Sequence, residues 1–400
     1  MAQRTGRLLI TQSGGPTAVI NQTLAGIIEA AKRSGAFAVI IGARHGAQGL
    51  LDAAFVDLGR QSPATLRAVA ATPGSALGTS RHKIGANDIE EILQTFRDHK
   101  VTAFIGIGGN DSAENALTLE KAAKAKGQEL TVVVAPKTVD NDLLETDHCP
   151  GYGSAARFIA LATMGDGMDA EAMGKDRPVT VIEVMGRNSG WLPAASILGK
   201  REERDAPHIV CIPEHPLVED DLIAAVERAI AKHGYAVAVV SENTRGPKGP
   251  LAESGEPEYV DDFGHPYYPS TAKYLSRVIG KRLKVRTRYD LPGTIQRAFA
   301  ECVSPVDARE ALAAGRAAAQ LAAKGQSGVM VTLERVRQRP YRCVTGVTAV
   351  GNVAGKERLL PADFFDRAQG LPTERYVRYA MPLIGGPLPA FAWLRALPPK

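Results

Sequence analysis

Short apolar runs, each ending in a loop that bears glycine or aspartate and separated by helix-length segments, constrain this chain more than any other feature. Residues 7–15 (RLLITQSGG) read as a strand closing in a Gly turn. Residues 17–35 follow with apolar side chains at helical spacing and Gly35 as the stop. The same alternation returns at 38–46 (AVIIGARHG), 101–111 (VTAFIGIGGND) and 130–142 (LTVVVAPKTVDND). Unbroken Val, Ile and Ala suit strands covered on both faces, as in parallel sheets. Strands alternating with helices predict a doubly wound α/β sheet. The pattern restarts after Asp142. A helix is expected over 151–174, strands within 177–190, 208–216 and 235–246, and helices over 222–234 and 270–283. Residues 244–267, rich in Gly, Pro and acidic residues, read as an insertion, and 308–324 as an Ala-rich helix. The expectation is two doubly wound, mostly parallel α/β domains with a site between them. The first comprises 1–145 plus about 290–325, and the second 146–289 plus about 326–400.

Composition removes several classes. At 400 residues, 44% hydrophobic and 23% charged, the chain has the material for two or three folded domains and is not disordered. Its net charge of +5 comes from scattered Lys and Arg with no basic stripe, so no nucleic-acid partner is expected. An anionic small molecule needs only local positive charge. Cys149, Cys211, Cys302 and Cys343 lie far apart without CxxC spacing, which points to reduced thiols rather than zinc or a redox pair. No run reaches the roughly 18 apolar residues of a membrane span, and the first residues carry no secretory pattern. A soluble, cytoplasmic protein without a membrane partner is expected.

In open α/β sheets, ligands sit beyond the carboxyl ends of the strands. Six loops therefore matter: 13–17, 74–81, 108–112, 137–142, 185–187 and 241–242. SGGPT at 13–17 offers backbone donors to an anion but is neither GxGxxG nor a Walker sequence. A ligand-free strand–helix turn would look the same. Arg81, in PGSALGTSR, suits a forked grip on phosphate, or is a plain surface Arg. Asn110, Asp111 and Ser112 supply oxygens, although Asp111 equally fits a helix N-cap. The 137–142 loop is the most informative. Lys137 offers a point charge for phosphate, and Asp140 and Asp142, two apart, point the same way if the segment is extended. One carboxylate can then accept a proton while the other tunes it or holds a metal. Arg187, and Arg286, Arg288 and Arg297 near a Pro-Gly turn, suit a sugar phosphate or make salt-bridged surface patches.

The ordered set SGG, GTSR, GGND, PKTVDND, MGR, SE and GTIQR, spanning residues 13 to 297, resembles the phosphofructokinase family. The resemblance implies transfer of a phosphoryl group to the 1-hydroxyl of fructose 6-phosphate. The donor is ATP in one branch of that family and inorganic pyrophosphate in the other. Where the ATP branch reads GGDG and PGTIDND, this chain has Asp111 and Lys137 in place of Gly, as in the pyrophosphate branch. An Asp side chain would crowd and repel a nucleotide's α-phosphate. By the same resemblance Asp140 is the base. Thr138 and Asp142 flank the hydroxyl, and Gly14 and Arg81 contact the donor phosphates. Met185, Gly186 and Arg187 form the sugar loop, and Glu242 holds a sugar hydroxyl. Arg297 and Thr294 stand at the 6-phosphate, Thr294 where the family often has His or Tyr. Arg177 and Arg288 match arginines that reach the sugar phosphate from a neighbouring subunit, which implies a homo-oligomer, a dimer or tetramer. Mg²⁺ is the implied cofactor, with Asn110 and Asp111 as its candidate ligands. The reaction is expected to be reversible, serving glycolysis and gluconeogenesis. The first domain would bind the donor and the second the sugar phosphate. The alternatives are ATP as donor, another sugar phosphate such as sedoheptulose 7-phosphate, and a phosphosugar-binding protein without catalysis.

Overall fold

The computed structural model describes residues 6–392 apart from 81, 83, 252, 254–258, 261–265 and 268–269. Two sheets organise the chain. The larger has seven strands in the order Arg342–Ala349, Val329–Arg337, Thr131–Pro136, Val101–Gly108, Gly6–Gln12, Phe37–Ala43, Phe55–Asp57. Its interior pairings are parallel, and each edge strand is added antiparallel. The smaller sheet is wholly parallel, in the order Thr287–Asp290, Val179–Val184, Ala236–Ser241, Ile209–Cys211.

The apolar runs form strands because both of their faces find cover. Leu8 and Ile10 enter one core layer and Leu9 the opposite one. Ile105 and Ile107 oppose Phe104, and Val133 and Ala135 oppose Val132 and Val134, in the same two layers. In the smaller sheet, Val237 and Val239 face one core while Ala236, Ala238 and Val240 face the other. Period-2 side-chain alternation thus delivers continuous apolar sequence to two layers at once.

On one face of the large sheet, helix Ile20–Ser34, stopped by Gly35 in the left-handed region, crosses the Ala-rich helix Pro305–Ala323. Their backbones touch. A Cβ on Gly315 would stand 2.1 Å from the Thr23 carbonyl oxygen, and one on Gly26 2.3 Å from that of Leu312. Gly315→Val should therefore cost about 1–3 kcal/mol or more, the penalty of overpacking. A shifted urea midpoint measures it, and a change within about 0.5 kcal/mol, like that of a surface site, would contradict the close crossing. At the start of the Ala-rich helix, buried Asp307 accepts hydrogen bonds from the backbone N–H of Gly151 and of Ser154 and from the Ser154 hydroxyl. It thereby joins this layer to helix Tyr152–Met173 of the second core.

One expected boundary is corrected. The chain beyond about 326 does not all cover the smaller sheet. Val329–Arg337 and Arg342–Ala349 form a hairpin on the larger one, with Val329 and Met330 registered parallel to Val133 and Val134. The edge left open by Thr131–Pro136 supplies the pairing. Apart from Tyr341 in the hairpin turn, it is from Leu360 onward that the C-terminal part packs on the second core, through Phe365, Tyr376, Ala380, Leu383 and Ile384. Of the expected insertion at 244–267, the described parts form two short ladders, Arg245–Gly246 with Gly249–Pro250 and Tyr259–Val260 with Pro266–Tyr267. Much of the remainder lies outside the described residues. All four cysteines are free. Among the described residues no helix is long and apolar enough to cross a membrane.

Candidate active site

Loops from the carboxyl ends of both sheets converge on the segment after Thr131–Pro136. The loop after Gly6–Gln12 turns at Gly14, whose φ of +72° suits glycine. Lys137 Nζ donates to the Gly15 carbonyl at 2.9 Å. A Cβ on Gly15 would lie 2.7 Å from Arg297 Nη1, so two cations approach this Gly-Gly backbone closely. The Gly-Gly pair after Val101–Gly108 serves packing as well: a Cβ on Gly108 would overlap Ser112 Oγ, itself 2.5 Å from Ser13 Oγ. Gly109, not Asp111, is the N-cap of helix Asn110–Ala125, and Asp111 lies solvent-exposed in its first turn.

The segment carrying the two aspartates is bent rather than extended, contrary to the sequence expectation. Asn141 between them adopts φ +58°, a strained conformation for a residue with a side chain. The turn is held from several sides. Asp140 N–H donates to Thr138 Oγ1 (3.1 Å), Ser189 Oγ donates to the Asp140 carbonyl (3.2 Å), and Cys149 N–H donates to Asn141 Oδ1 (2.9 Å). Across the cleft, Gly186 (φ +142°) and Arg187 (φ +48°) form a tight turn after Val179–Val184. A Cβ on Gly186 would stand 2.8 Å from the Ser189 carbonyl oxygen. This turn brings Arg187 Nε to 3.8 Å from Asp140 Oδ2. Arg187 N–H donates to Glu242 Oε1 (3.3 Å), and Met185 N–H to Gln296 Oε1 (3.0 Å).

Burial tunes the charges here. Asp140, 8% exposed, has its carboxyl pushed up to about 7, mainly by desolvation and then by the Asp142 charge, with Arg187 opposing. Asp142 is raised as well, chiefly by burial. Lys137, 4% exposed, is pulled down to about 8 by burial, with Asp140 opposing and Arg187 and Arg297 adding to the depression. Among the described residues of this site, three buried side-chain oxygens have no partner: Asn110 Oδ1, Asp140 Oδ1 and Asp142 Oδ1. Asn110 Nδ2 reaches Asp142 Oδ2 at 3.4 Å. An unpartnered buried carboxylate oxygen is costly, so it marks a place prepared for a proton, a hydroxyl or a cation. Oxygen-only donors of this kind suit a hard divalent ion such as Mg²⁺.

The structure therefore brings Gly14, Asn110, Lys137, Thr138, Asp140, Asp142, Met185, Gly186, Arg187, Glu242 and Arg297 into one neighbourhood. Thr294 lies exposed in the helical turn Gly293–Arg297 that carries Arg297. Arg177 and Arg288 are elsewhere. Arg177 precedes strand Val179–Val184, and Arg288 pairs in register with Thr180 near that strand's start. Arg187 follows the other end, about 20 Å away at 3.3 Å per residue. Arg288 is held by Asp169 and Asp290. Arg81 lies outside the described residues. Sequence reasoning missed Asn141, Ser189 and Gln296 as supports of the two turns, and missed Glu357 and Arg358 altogether. Asn141 and Gln296 stand inside motifs already singled out, and Ser189 two residues beyond one, so their proximity was available as a signal. Residues 357 and 358 offered none.

Residues 7–322 match the family described as phosphofructokinase. The chain is 37% identical to the pyrophosphate–fructose 6-phosphate 1-phosphotransferase of Xanthomonas campestris pv. campestris, covering 96% of this chain and 93% of that one. It is 31% identical to the sulfofructose kinase of Alkalicoccus urumqiensis, covering 90% and 92%. Among solved structures, the pyrophosphate-dependent phosphofructokinase of Nitrosospira multiformis superimposes with a TM-score of 0.88 at 32% identity, covering 97% of this chain and 94% of that one.

Proposed function

Because the chain belongs to the phosphofructokinase family, we propose that this site transfers a phosphoryl group from inorganic pyrophosphate to the 1-hydroxyl of fructose 6-phosphate, giving fructose 1,6-bisphosphate and phosphate, reversibly. The observation that carries the reading is Asp140. It is a buried carboxylate with one unpartnered oxygen, poised near neutrality and set beside a buried lysine. A base tuned to the working pH takes a proton most effectively.

In the forward direction Asp140 accepts the proton of the sugar 1-hydroxyl. The freed oxygen attacks the near phosphorus, and the bond from that phosphorus to the bridging oxygen breaks, releasing phosphate. Lys137, beside the Gly14–Gly15 backbone, and Arg81 meet the charge on the pyrophosphate. Positioning and electrostatics carry most of such catalysis. Glu242 and the Met185–Arg187 turn orient the sugar, with Thr294 and Arg297 toward its 6-phosphate. Mg²⁺, held through Asn110 and Asp142 with Asp111 as a further ligand from the helix start, would neutralise charge on the pyrophosphate. Arg177 and Arg288, distant from their own site, serve a neighbouring copy in a homo-oligomer. The exposed apolar residues Tyr289, Leu291, Ile295 and Phe299 on the adjoining segment support that association. Both substrates are multiply charged, so the reading carries a cytoplasmic enzyme of glycolysis and gluconeogenesis with it.

Lys137 and the exposed Asp111 favour pyrophosphate over ATP. A coupled assay with fructose 6-phosphate and each donor tests this. Turnover with pyrophosphate at least about tenfold above that with ATP, a difference of about 1.4 kcal/mol in barrier, is expected. Robust turnover with ATP alone would sink the donor assignment. A panel including sedoheptulose 7-phosphate and sulfofructose tests the Thr294 position, since an acidic group at the far end of the sugar is what its neighbour Arg297 would grip.

A further inference from the structure

The turn that presents Asp140 is clamped by a residue from outside the family-matched region. Arg358 lies in the C-terminal part, beyond residue 322. Its Nε and Nη2 donate to the Asn141 carbonyl (3.2 and 2.8 Å), and its Nη1 donates to the carbonyls of Thr146 and Asp147 (2.6 Å each). Its backbone N–H donates to the Asp142 carbonyl at 2.8 Å. The guanidinium stacks 4.5 Å from the Trp191 ring centroid, and Trp191 Nε1 returns a hydrogen bond to the Arg358 carbonyl (3.1 Å). The preceding residue reaches the opposite wall: Asn188 Nδ2 donates to the Glu357 carboxylate at 3.1–3.2 Å. Glu214 Oε1 then accepts from the N–H groups of Gly190 and Leu360, anchoring the strap.

We propose that Arg358 is a positioning residue for phosphoryl transfer, holding the Asp140–Asp142 turn in its left-handed geometry by tying the Asn141 carbonyl to those of Thr146 and Asp147, the last of which also accepts from the Tyr379 hydroxyl (2.7 Å). The inference rests on the function proposed above. Three backbone carbonyls from two stretches of loop point at one spot, and the planar five-donor fork of arginine fits them while its face stacks on Trp191. A lysine offers a point charge without that fork. The left-handed φ of +58° at Asn141 is tolerated by Asn better than by most residues but is still disfavoured, and relaxation toward an ordinary conformation would rotate Asp140 and Asp142 relative to the sugar hydroxyl. Every side-chain hydrogen bond that Arg358 makes goes to a backbone carbonyl, so it acts through backbone geometry.

Arg358→Lys keeps the charge and much of the buried bulk. We expect it to fold, to lower kcat by about 10–10²-fold, the cost of a misplaced reacting group, and to leave the KM for fructose 6-phosphate within about threefold. Arg358→Ala should be partly rescued by millimolar guanidinium but not by methylammonium. Amide hydrogen exchange over residues 140–147 should quicken in both variants while the large sheet keeps its protection. Wild-type kcat in Arg358→Lys, or unchanged exchange over 140–147, would each overturn the proposal. The exchange readout needs no substrate. If the wild-type protein fails to turn over pyrophosphate and fructose 6-phosphate while exchange still quickens, the functional reading fails and the clamp survives.

Discussion

Asp140→Asn is expected to lower turnover with pyrophosphate and fructose 6-phosphate by about 10²–10⁴-fold, the scale of a lost general base. The amide keeps the side chain's size and cannot take the proton. Substrate KM values should move little, because no cation that grips phosphate is removed. The pH profile gives a second signature. Asp140 works as a base only when ionised, and its carboxyl is pushed up to about 7. Wild-type kcat/KM should therefore climb as pH rises through 7. It should fall again above about 8 as Lys137 gives up its proton. The residual activity of Asp140→Asn should lack the acid limb. Stability supplies an independent check with a defined sign. The native carboxyl holds its proton more tightly than the unfolded one, whose ordinary value is 3.8. Its favourable contribution is present below that value and is lost as pH rises through about 7. The urea midpoint of Asp140→Asn should accordingly gain on the wild type as pH is raised from 5 to 8. A variant with near-normal turnover, or an acid limb that survives the substitution, would remove Asp140 from the role of base.

Lys137→Met should cost about 10²–10³-fold in kcat with pyrophosphate, the usual penalty for removing one preorganised charge from a site of charge development. Methionine preserves length and burial, so the Gly14–Gly15 turn stays packed while the ammonium disappears. The loss should fall on turnover far more than on the KM for the sugar phosphate, for which the proposed holders Arg187 and Glu242 lie across the cleft from Lys137. The alkaline limb of the pH profile should disappear with it. Depression of the lysine's proton affinity from 10.5 to about 8 follows from a side chain only 4% exposed, with Arg187 and Arg297 nearby. In the native state its charged form is disfavoured, so its contribution to stability improves as pH rises from about 8 toward 10.5. Steady-state kinetics with both donors decides the point. Turnover within about threefold of wild type with pyrophosphate, well short of the tenfold that one such interaction commands, would show that Lys137 is not part of the donor site.

Much of this was open to reading in the chain. The runs around Leu8–Ile10, Phe104–Ile107 and Val132–Ala135 carry enough consecutive apolar residues to require cover on both faces, and the loops after them fall where parallel strands deliver ligands. Local signals such as Gly35 after its helix act within one turn of backbone and were equally legible. The hairpin Val329–Arg337 and Arg342–Ala349 was not. Its outer strand alternates exposed and half-buried residues, as an edge strand does. Its place in the large sheet depends on an edge left vacant nearly 200 residues earlier. Arg358 was not legible either. In GKERLL it reads as one more surface cation, and only the folded backbone shows three carbonyls awaiting it.

Up to about residue 324, the main strand–helix alternation and the residue types at the strand ends, among them Lys137, Thr138, Asp140, Asp142, Arg187 and Glu242, were set in the sequence alone. Those properties depend on near neighbours in the chain, where periodicity and turn chemistry operate. Tertiary structure alone decided that Asn141 bends the pair of aspartates and that Arg177 and Arg288 lie away from this chain's own site. It also placed the last third of the chain over both sheets and pushed Asp140 up while drawing Lys137 down. Desolvation and Coulomb coupling depend on what surrounds a group in space, and those surroundings come from segments distant in the chain.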